Sequence, residues 1–391
     1  MASPKSVYIA FEAFPRPKGA SSHILSMIMA MAEKQSPVLL LCLGFGDMPA
    51  WQQEGDILIK RFKGYHPNML KRSEGFSAFV FESLKALGEA VELCVFRDPW
   101  GGSAAIMADV CKNTVFEVNA LPSWELDYTY AGFSGNYVLK EKIEDMEYFC
   151  LRNSNKITTV SAITEKALIN KGVPSEKITV IPNSAPDFFC NPVPEEVIPD
   201  FLKTGRWIGY FGSLHSWQGI EDGIRAFALI CSEFETVSLV IITGGRKEAK
   251  KKLRKLVRKL GLEERVLIHP PLIPEKLACI VRHLEFTIAP LKDTPRNTQQ
   301  GCCPVKIIES MAAGVPVIAS DLACVRSIVR HEENGFLIKS GDRRAFALAM
   351  QSCLHNIKRT KGLGENAAEL VKSRFNRSLI HNQLHACFEN R

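Results

Sequence analysis

No apolar run in the sequence approaches the roughly eighteen residues that a membrane-spanning helix needs. The longest candidates, such as Val38–Leu43 and Val237–Ile242, are of strand length. The first residues, MASPKSVYIAFEAF, lack a secretory signal: there is one lysine, a short apolar run and no small-residue cleavage site. No C-x-x-C pair occurs, which removes the zinc and thioredoxin-type signals. The twelve cysteines are scattered; only Cys302 and Cys303 are close, and adjacent cysteines rarely bridge. Reduced thiols serving as small apolar residues in a cytoplasmic protein are the expectation. Short repeats and low-complexity segments are missing too. What is present is a soluble globular composition, 46% hydrophobic and 23% charged. At 391 residues the chain is too long for one ordinary core and predicts two domains.

The rhythm is strand, loop, helix, repeated. Apolar runs at Ser6–Phe11, Val38–Leu43, Ile57–Phe62, Cys94–Arg97, Thr114–Asn119, Lys156–Ser161 and Ile178–Ile181 alternate with helical patterns. The helical patterns are His23–Ala32, Phe76–Ala90, Ser103–Cys111 and Val138–Arg152. Asn183–Gly205 carries four prolines and no period, and reads as a linker. The rhythm then restarts with strands at Trp207–Phe211, Leu239–Thr243, Val266–His269, Phe286–Pro290, Val315–Ser320 and Phe336–Ile338. Continuous apolar strands separated by helices indicate parallel sheets covered on both faces. The predicted class is α/β, with two Rossmann-like domains: 1–190, 191–375, and a C-terminal helix over 376–391 that returns to the N-terminal domain. In such sheets ligands bind beyond the carboxyl ends of the strands.

The net charge of +7 is local. Arg246–Lys259 holds nine basic residues and one acid, so the rest of the chain is close to neutral at −1. Leu253, Leu256, Val257 and Leu260 form an apolar stripe at helical spacing, which makes this one amphipathic helix with a basic face. That distribution argues against a nucleic-acid binder. A solvated face is the expectation, with peripheral contact at an anionic membrane surface left open.

Three loops could cradle an anion on backbone N–H groups at a helix start: Pro15–Ser22, Gly212–His215 and Gly244–Arg246. Each is also compatible with a plain strand-to-helix connection, and His23 is read as an ordinary residue of the first helical turn. Pro304–Asp321 is the most specific segment. Lys306 and Glu309 are three apart and share a helical face. They form either a site that meets sugar hydroxyls or a surface ion pair, and spacing leaves both open.

Lys306-Ile-Ile-Glu309-Ser-Met-Ala-Ala-Gly314-Val-Pro-Val-Ile-Ala-Ser-Asp321, followed by Glu333-Asn-Gly-Phe-Leu-Ile338, resembles the C-terminal signature of retaining family 4 glycosyltransferases of the GT-B fold, the glycosyl transferases group 1. Glu117-Val-Asn-Ala-Leu-Pro122, Thr159-Val-Ser161, Val180-Ile-Pro-Asn183 and Gly209–Gly219 resemble other blocks of that family, in the expected order. The resemblance implies two Rossmann-like domains facing across a cleft. It implies front-face transfer of a sugar from a UDP- or GDP-linked donor to an acceptor hydroxyl, the donor being a substrate, with no metal and no further cofactor. It implies that Glu309 holds the donor ribose, that Gly19 lies near the phosphates, and that Asn119 stands near the donor sugar. The base is expected against Pro271 and Leu272. The first family glutamate falls on Gly301, so sugar contacts pass to Gln299, Gln300 or backbone amides. The usual Arg and Lys of the nucleotide-domain loop are Ser213 and Gln218. Lys306, Arg246 and Arg296 are then the expected phosphate cations, with Gly212, Ser213 and Gly245 supplying N–H groups and Lys18 adding a contact. The acceptor partner is not specified by any of these residues. Two alternatives are a catalytically weak nucleotide-sugar-binding subunit and a nucleotide-sugar epimerase; a periplasmic binding protein is disfavoured by the N-terminal pattern. The expected location is cytoplasmic, or peripheral at the inner face of the membrane.

Overall fold

A computed structural model describes residues 4–16, 19–88, 91–129, 135–191 and 198–389. Two compact α/β units form. One holds the chain up to Arg16, Ala20–Pro182 and the stretch from Ile380; the other holds Asn183–Leu379.

The first unit is built on β1 (Ser6–Ala13), β2 (Val38–Leu43), β3 (Trp51–Glu54), β4 (Ile57–Phe62), β5 (Val91–Phe96), β6 (Cys111–Val118), β7 (Lys156–Thr159) and β8 (Ile178–Val180). Their order is β3-β4-β2-β1-β5-β6-β7-β8. All pairs are parallel except β3–β4. Every residue of β2 is buried, because helices cover both faces of its sheet. The pleat divides the core accordingly. Val7, Ile9, Leu39 and Leu41 join Phe76 and Phe96 on one face, while Tyr8, Ala10 and Leu40 join Ile24 and Ile28 on the other. That second face is completed by Ile380, Leu384 and Cys387 of the C-terminal helix Arg377–Glu389.

The second unit holds β9 (Arg206–Phe211), β10 (Val237–Ile242), β11 (Val266–His269), β12 (Thr287–Ala289), β13 (Val317–Ser320) and β14 (Gly335–Ile338). All are parallel, in the order β11-β10-β9-β12-β13-β14. The order reverses between β9 and β12, which is where open sheets of this kind take ligands.

Several details differ from the sequence expectation. The edge strand β3 was not expected: WQQE is polar and exposed, and only its ladder with β4 makes it a strand. The helix before β5 starts at Met69, not Phe76, because the Asn68 side chain accepts from the N–H groups of Leu70 and Lys71. Pro274–Arg282 is a helix with Pro at its first turn. Of the proline-rich stretch, residues 192–197 lie outside the described residues. Its start is bound into the second unit: Asn183 Nδ2 donates to Cys303 O at 2.8 Å, the Ala185 N–H to Phe375 O at 3.1 Å, and Phe189 is fully buried. The basic helix, Lys247–Lys259, buries Leu253, Leu256 and Val257 and turns nearly all its charges to solvent. Among the described residues, no helix is long and apolar enough to cross a membrane.

Candidate functional site

Three loops of the second unit meet at the carboxyl ends of β9, β10 and β11. Thr243, buried directly after β10, donates its hydroxyl to Gly212 O at 2.7 Å and also contacts Gly244 O at 2.9 Å. Gly245 packs near Leu214, and Gly244 against Pro271, so the Gly212–Leu214, Gly244–Gly245 and Pro271–Leu272 loops are neighbours. Gly212 has φ 140°, a conformation open to glycine, and a Cβ there would stand 2.8 Å from Lys306 Nζ. The Lys306 ammonium thus lies against the backbone of this loop.

Lys306 and Glu309 sit on the helix Val305–Ala312, which enters the unit after the Gln299–Pro304 turn. Lys306 Nζ donates to Gln218 Oε1 at 2.5 Å and stands 4.3 Å from the centroid of the Tyr210 ring. Tyr210 is itself fixed by donating to Ser213 O at 2.6 Å. The surface ion pair left open by the spacing is not what forms. Glu309 is 7% exposed, and among the described residues its carboxylate has no hydrogen-bond or ion-pair partner. Desolvation dominates both groups. It pushes the Lys306 ammonium down to about 7, against raising contributions from Cys302 and Glu309, and lifts the Glu309 carboxyl to about 7 against the pull of Lys306. A cation and an acid held this way gain from a ligand that supplies an anion to one and hydroxyls to the other.

The remaining expected residues fall as follows. Ser213 is half-buried in the β9 loop, and Gly245 and Arg246 are exposed, Arg246 standing at the N-cap of the basic helix. Leu272 is half-buried after β11. Arg296 is turned onto its own loop: Nη1 donates to Gly301 O at 2.8 Å, and its guanidinium lies 5.8 Å from the Trp217 ring. Gly301 has φ 78°, so a glutamate there would be strained. Gln300 Oε1 is buried and has no hydrogen-bond partner among the described residues. Gly19 opens the helix Gly19–Ala32, while Lys18 lies outside the described residues.

In the first unit Asn119 belongs to a buried polar cluster. Glu117, near the end of β6, accepts from Tyr8 Oη at 2.5 Å, pairs with His23 Nε2, and accepts from Asn119 Nδ2. Burial alone would raise the Glu117 carboxyl, but His23, Arg97 and the Tyr8 hydroxyl outweigh it and hold it at about 2. His23 is therefore not an ordinary first-turn residue but a partner of a buried carboxylate, a contact across 94 positions that local pattern does not reveal. Next door, Asp98 caps the helix Pro99–Ala108 and accepts from the Phe11 N–H at 2.6 Å; burial lifts its carboxyl to about 6. Thr243 and Tyr210 also escaped sequence reading. Thr243 had a weak signal, its place before Gly244-Gly245; Tyr210 had none.

Residues 205–356 match the family model described as Glycosyl transferases group 1. The D-inositol 3-phosphate glycosyltransferase of Xylanimonas cellulosilytica is 30% identical over 187 residues, 45% of this chain and 42% of that protein. The chain spans less than half the length of the first curated relatives it matches. Among solved structures, sucrose-phosphate synthase from Thermosynechococcus elongatus superposes with a TM-score of 0.79 at 19% identity, covering 98% of each chain. Anabaena HepE in complex with UDP and glucose superposes with a TM-score of 0.75 at 17% identity, covering 99% of this chain and 100% of that one.

Proposed function

We propose that this chain, of GT-B fold and with residues 205–356 matching the glycosyl transferases group 1, is a retaining glycosyltransferase using a nucleotide-sugar donor. The observation that carries the reading is the Lys306–Glu309 pair, desolvated on one helix beside the Gly212 loop. The diphosphate would lie against Lys306 and the N–H groups of Gly212, Ser213 and Gly245, with Arg246 at the rim. Glu309 would accept from the ribose hydroxyls, the base would lie along Pro271–Leu272, and Gln300 would meet the sugar. The UDP held by HepE supports a uridine or related donor. In the transfer step the C1–oxygen bond to the diphosphate breaks as the acceptor oxygen attacks C1 from the same face. The acceptor proton passes to the departing diphosphate oxygen. Lys306 stabilises the charge that develops there, a contact stronger in the transition state than in the ground state. Following the family resemblance, charge neutralisation is assigned to these side chains and loops without a resident metal.

The test is thermal stabilisation by a panel of UDP- and GDP-sugars, since a ligand that binds the folded state stabilises it by mass action. Transfer is then assayed with the donor so found. Lys306→Ala and Glu309→Ala should each lose roughly tenfold to a hundredfold in turnover with the fold intact. Unchanged rates in both would remove them from the site. A nucleotide-binding subunit without transfer is favoured by Gly301 in place of glutamate and by Ser213 and Gln218. Donor binding with neither transfer nor hydrolysis would decide for it, and conversion of the donor sugar without any acceptor would indicate an epimerase.

A further inference from the structure

The first unit carries a second cluster that the donor chemistry leaves unused. It sits at the carboxyl ends of three neighbouring parallel strands, β4, β2 and β1. Phe45 follows β2, Tyr65 follows β4, Phe11 lies near the end of β1, Arg16 follows it, and Arg72 is in the helix Met69–Lys85. The Arg16 guanidinium is 5.2 Å from the centroid of the Phe45 ring, and Phe45 meets Tyr65 edge-on at 5.4 Å. The Arg72 guanidinium lies 5.8 Å from the Tyr65 ring and 5.6 Å from that of Phe11. Tyr65 is 61% exposed and Arg16 is exposed, so the cluster opens to solvent.

The partners of Arg16, Lys63 and Arg72 among the described residues are backbone carbonyls and aromatic rings, and none forms an ion pair with a described carboxylate. Arg72 Nη1 donates to His66 O at 2.6 Å, but Arg72 Nε is buried with no hydrogen-bond partner among the described residues. Lys63 donates to the carbonyls of Gly46 and Met48, pinning the loop after β2 while adding its charge. Three acids lie near in sequence, Glu12 beside Phe11, Asp47 in the loop after β2 and Glu74 two residues beyond Arg72, and Asp98 accepts from the Phe11 N–H. A guanidinium beside a ring is positioned by the ring, and its remaining N–H groups can meet a phosphate oxygen. A buried donor left unpaired is costly unless something takes its hydrogen bond. The carboxyl ends of the strands are also where open α/β sheets receive ligands.

We propose that this cluster binds the phosphate of a phosphorylated acceptor, through Arg16 and Arg72, with the carrier of that phosphate lying on Tyr65 and Phe45. That the ligand is an acceptor rests on the transferase reading; the phosphate site itself does not. The phosphate can belong to a soluble sugar phosphate or to a lipid headgroup, and the two are separated by the probe. The full-length chain, saturated with UDP to fill the donor loops, is titrated with glucose 6-phosphate and, separately, with vesicles of phosphatidylglycerol in phosphatidylcholine. Wild type is compared with Arg16→Gln and Arg72→Gln, with UDP affinity and circular dichroism as controls of the fold. In one of the two arms the wild type should bind at least tenfold more tightly than each variant, and unphosphorylated glucose should not distinguish them. UDP affinity of Arg72→Gln should stay within twofold; for Arg16→Gln, which lies in the Pro15–Ser22 loop, circular dichroism is the control. Equal binding by wild type and variants in both arms, or no binding in either, overturns the proposal. Should Arg72→Gln lose the controls, the exposed Arg16 carries the comparison alone. If UDP fails to bind while glucose 6-phosphate or vesicle binding still depends on Arg16, the donor reading falls and the phosphate site stands.

Discussion

Replacing Lys306 by Met should make the ligand-free protein more stable while removing its response to nucleotide. The ammonium is displaced by burial from 10.5 to about 7. At about 1.4 kcal/mol per pH unit, that is roughly 5 kcal/mol against the charged form. Methionine keeps most of the packing but gives up the contact with the Tyr210 ring and the bond to Gln218, about 1 kcal/mol each. The net gain near neutrality should be about 2 kcal/mol, or roughly 5 °C in melting temperature for a unit of this size. The sign with pH is fixed by linkage. Between about 7 and 10.5 the unfolded chain holds the Lys306 proton and the folded one does not, so wild-type stability rises with pH across that window. The advantage of Lys306→Met should therefore be full at pH 6 and shrink by pH 10. Calorimetric melting at both pH values, with and without UDP, measures it. A variant that is destabilised at pH 6, or whose gain is the same at pH 10, would refute the electrostatic account; one that still answers UDP like the wild type would refute the placement of the phosphate.

Gly212→Ala should weaken UDP binding at least tenfold, since its Cβ would stand 2.8 Å from Lys306 Nζ in a backbone conformation that disfavours alanine; calorimetric titration reads it. Glu117→Gln should cost about 3 kcal/mol in urea unfolding, because it leaves His23 and Arg97 facing a neutral group in the core. The Glu117 carboxyl is held at about 2 against an ordinary 4.5, so its contribution is full above 4.5 and lost as pH falls toward 2; the gap between Glu117→Gln and wild type should close over that range. On the basic helix, Leu253→Ala should cost about 2–4 kcal/mol, whereas Lys251→Gln, on the solvent face, should stay within about 0.5 kcal/mol of wild type; equal costs would mean the helix is seated differently.

The strands were legible where the run is β-rich and mainly apolar, whether fully buried as β2 or largely half-buried as β4 and β11. Val38–Leu43, Ile57–Phe62 and Val266–His269 were bounded from sequence as they stand in the structure, because each is a β-rich, mainly apolar run. β3 was not, because its four residues earn their pairing from a neighbour and bury little. The same division runs through the site. Lys306 and Glu309 were legible as one helical face, but spacing could not tell a solvated ion pair from two desolvated groups; burial decides that, and burial comes from the packing of distant strands. Gln218 was noted as a missing lysine, and only the fold shows it receiving one from another element. His23 and Glu117 meet through the pairing of helix and sheet, which no local period encodes.

The C-terminal helix has a consequence for how the chain matures as it is made. Ile380, Leu384 and Cys387 close one face of the first unit's core, and Lys156 Nζ and Asn113 Nδ2 donate to the carbonyls of Cys387 and Phe388 at 2.7 and 3.1 Å. A nascent chain that has exposed everything up to Pro182 still lacks that cover, while Asn183–Leu379 is complete before the cover arrives. The unit synthesised first should therefore be the last to finish folding on the ribosome, waiting with Tyr8, Ile24 and Leu40 unsealed. A released chain truncated after Leu379 should be cleaved by protease in the first unit and spared in the second.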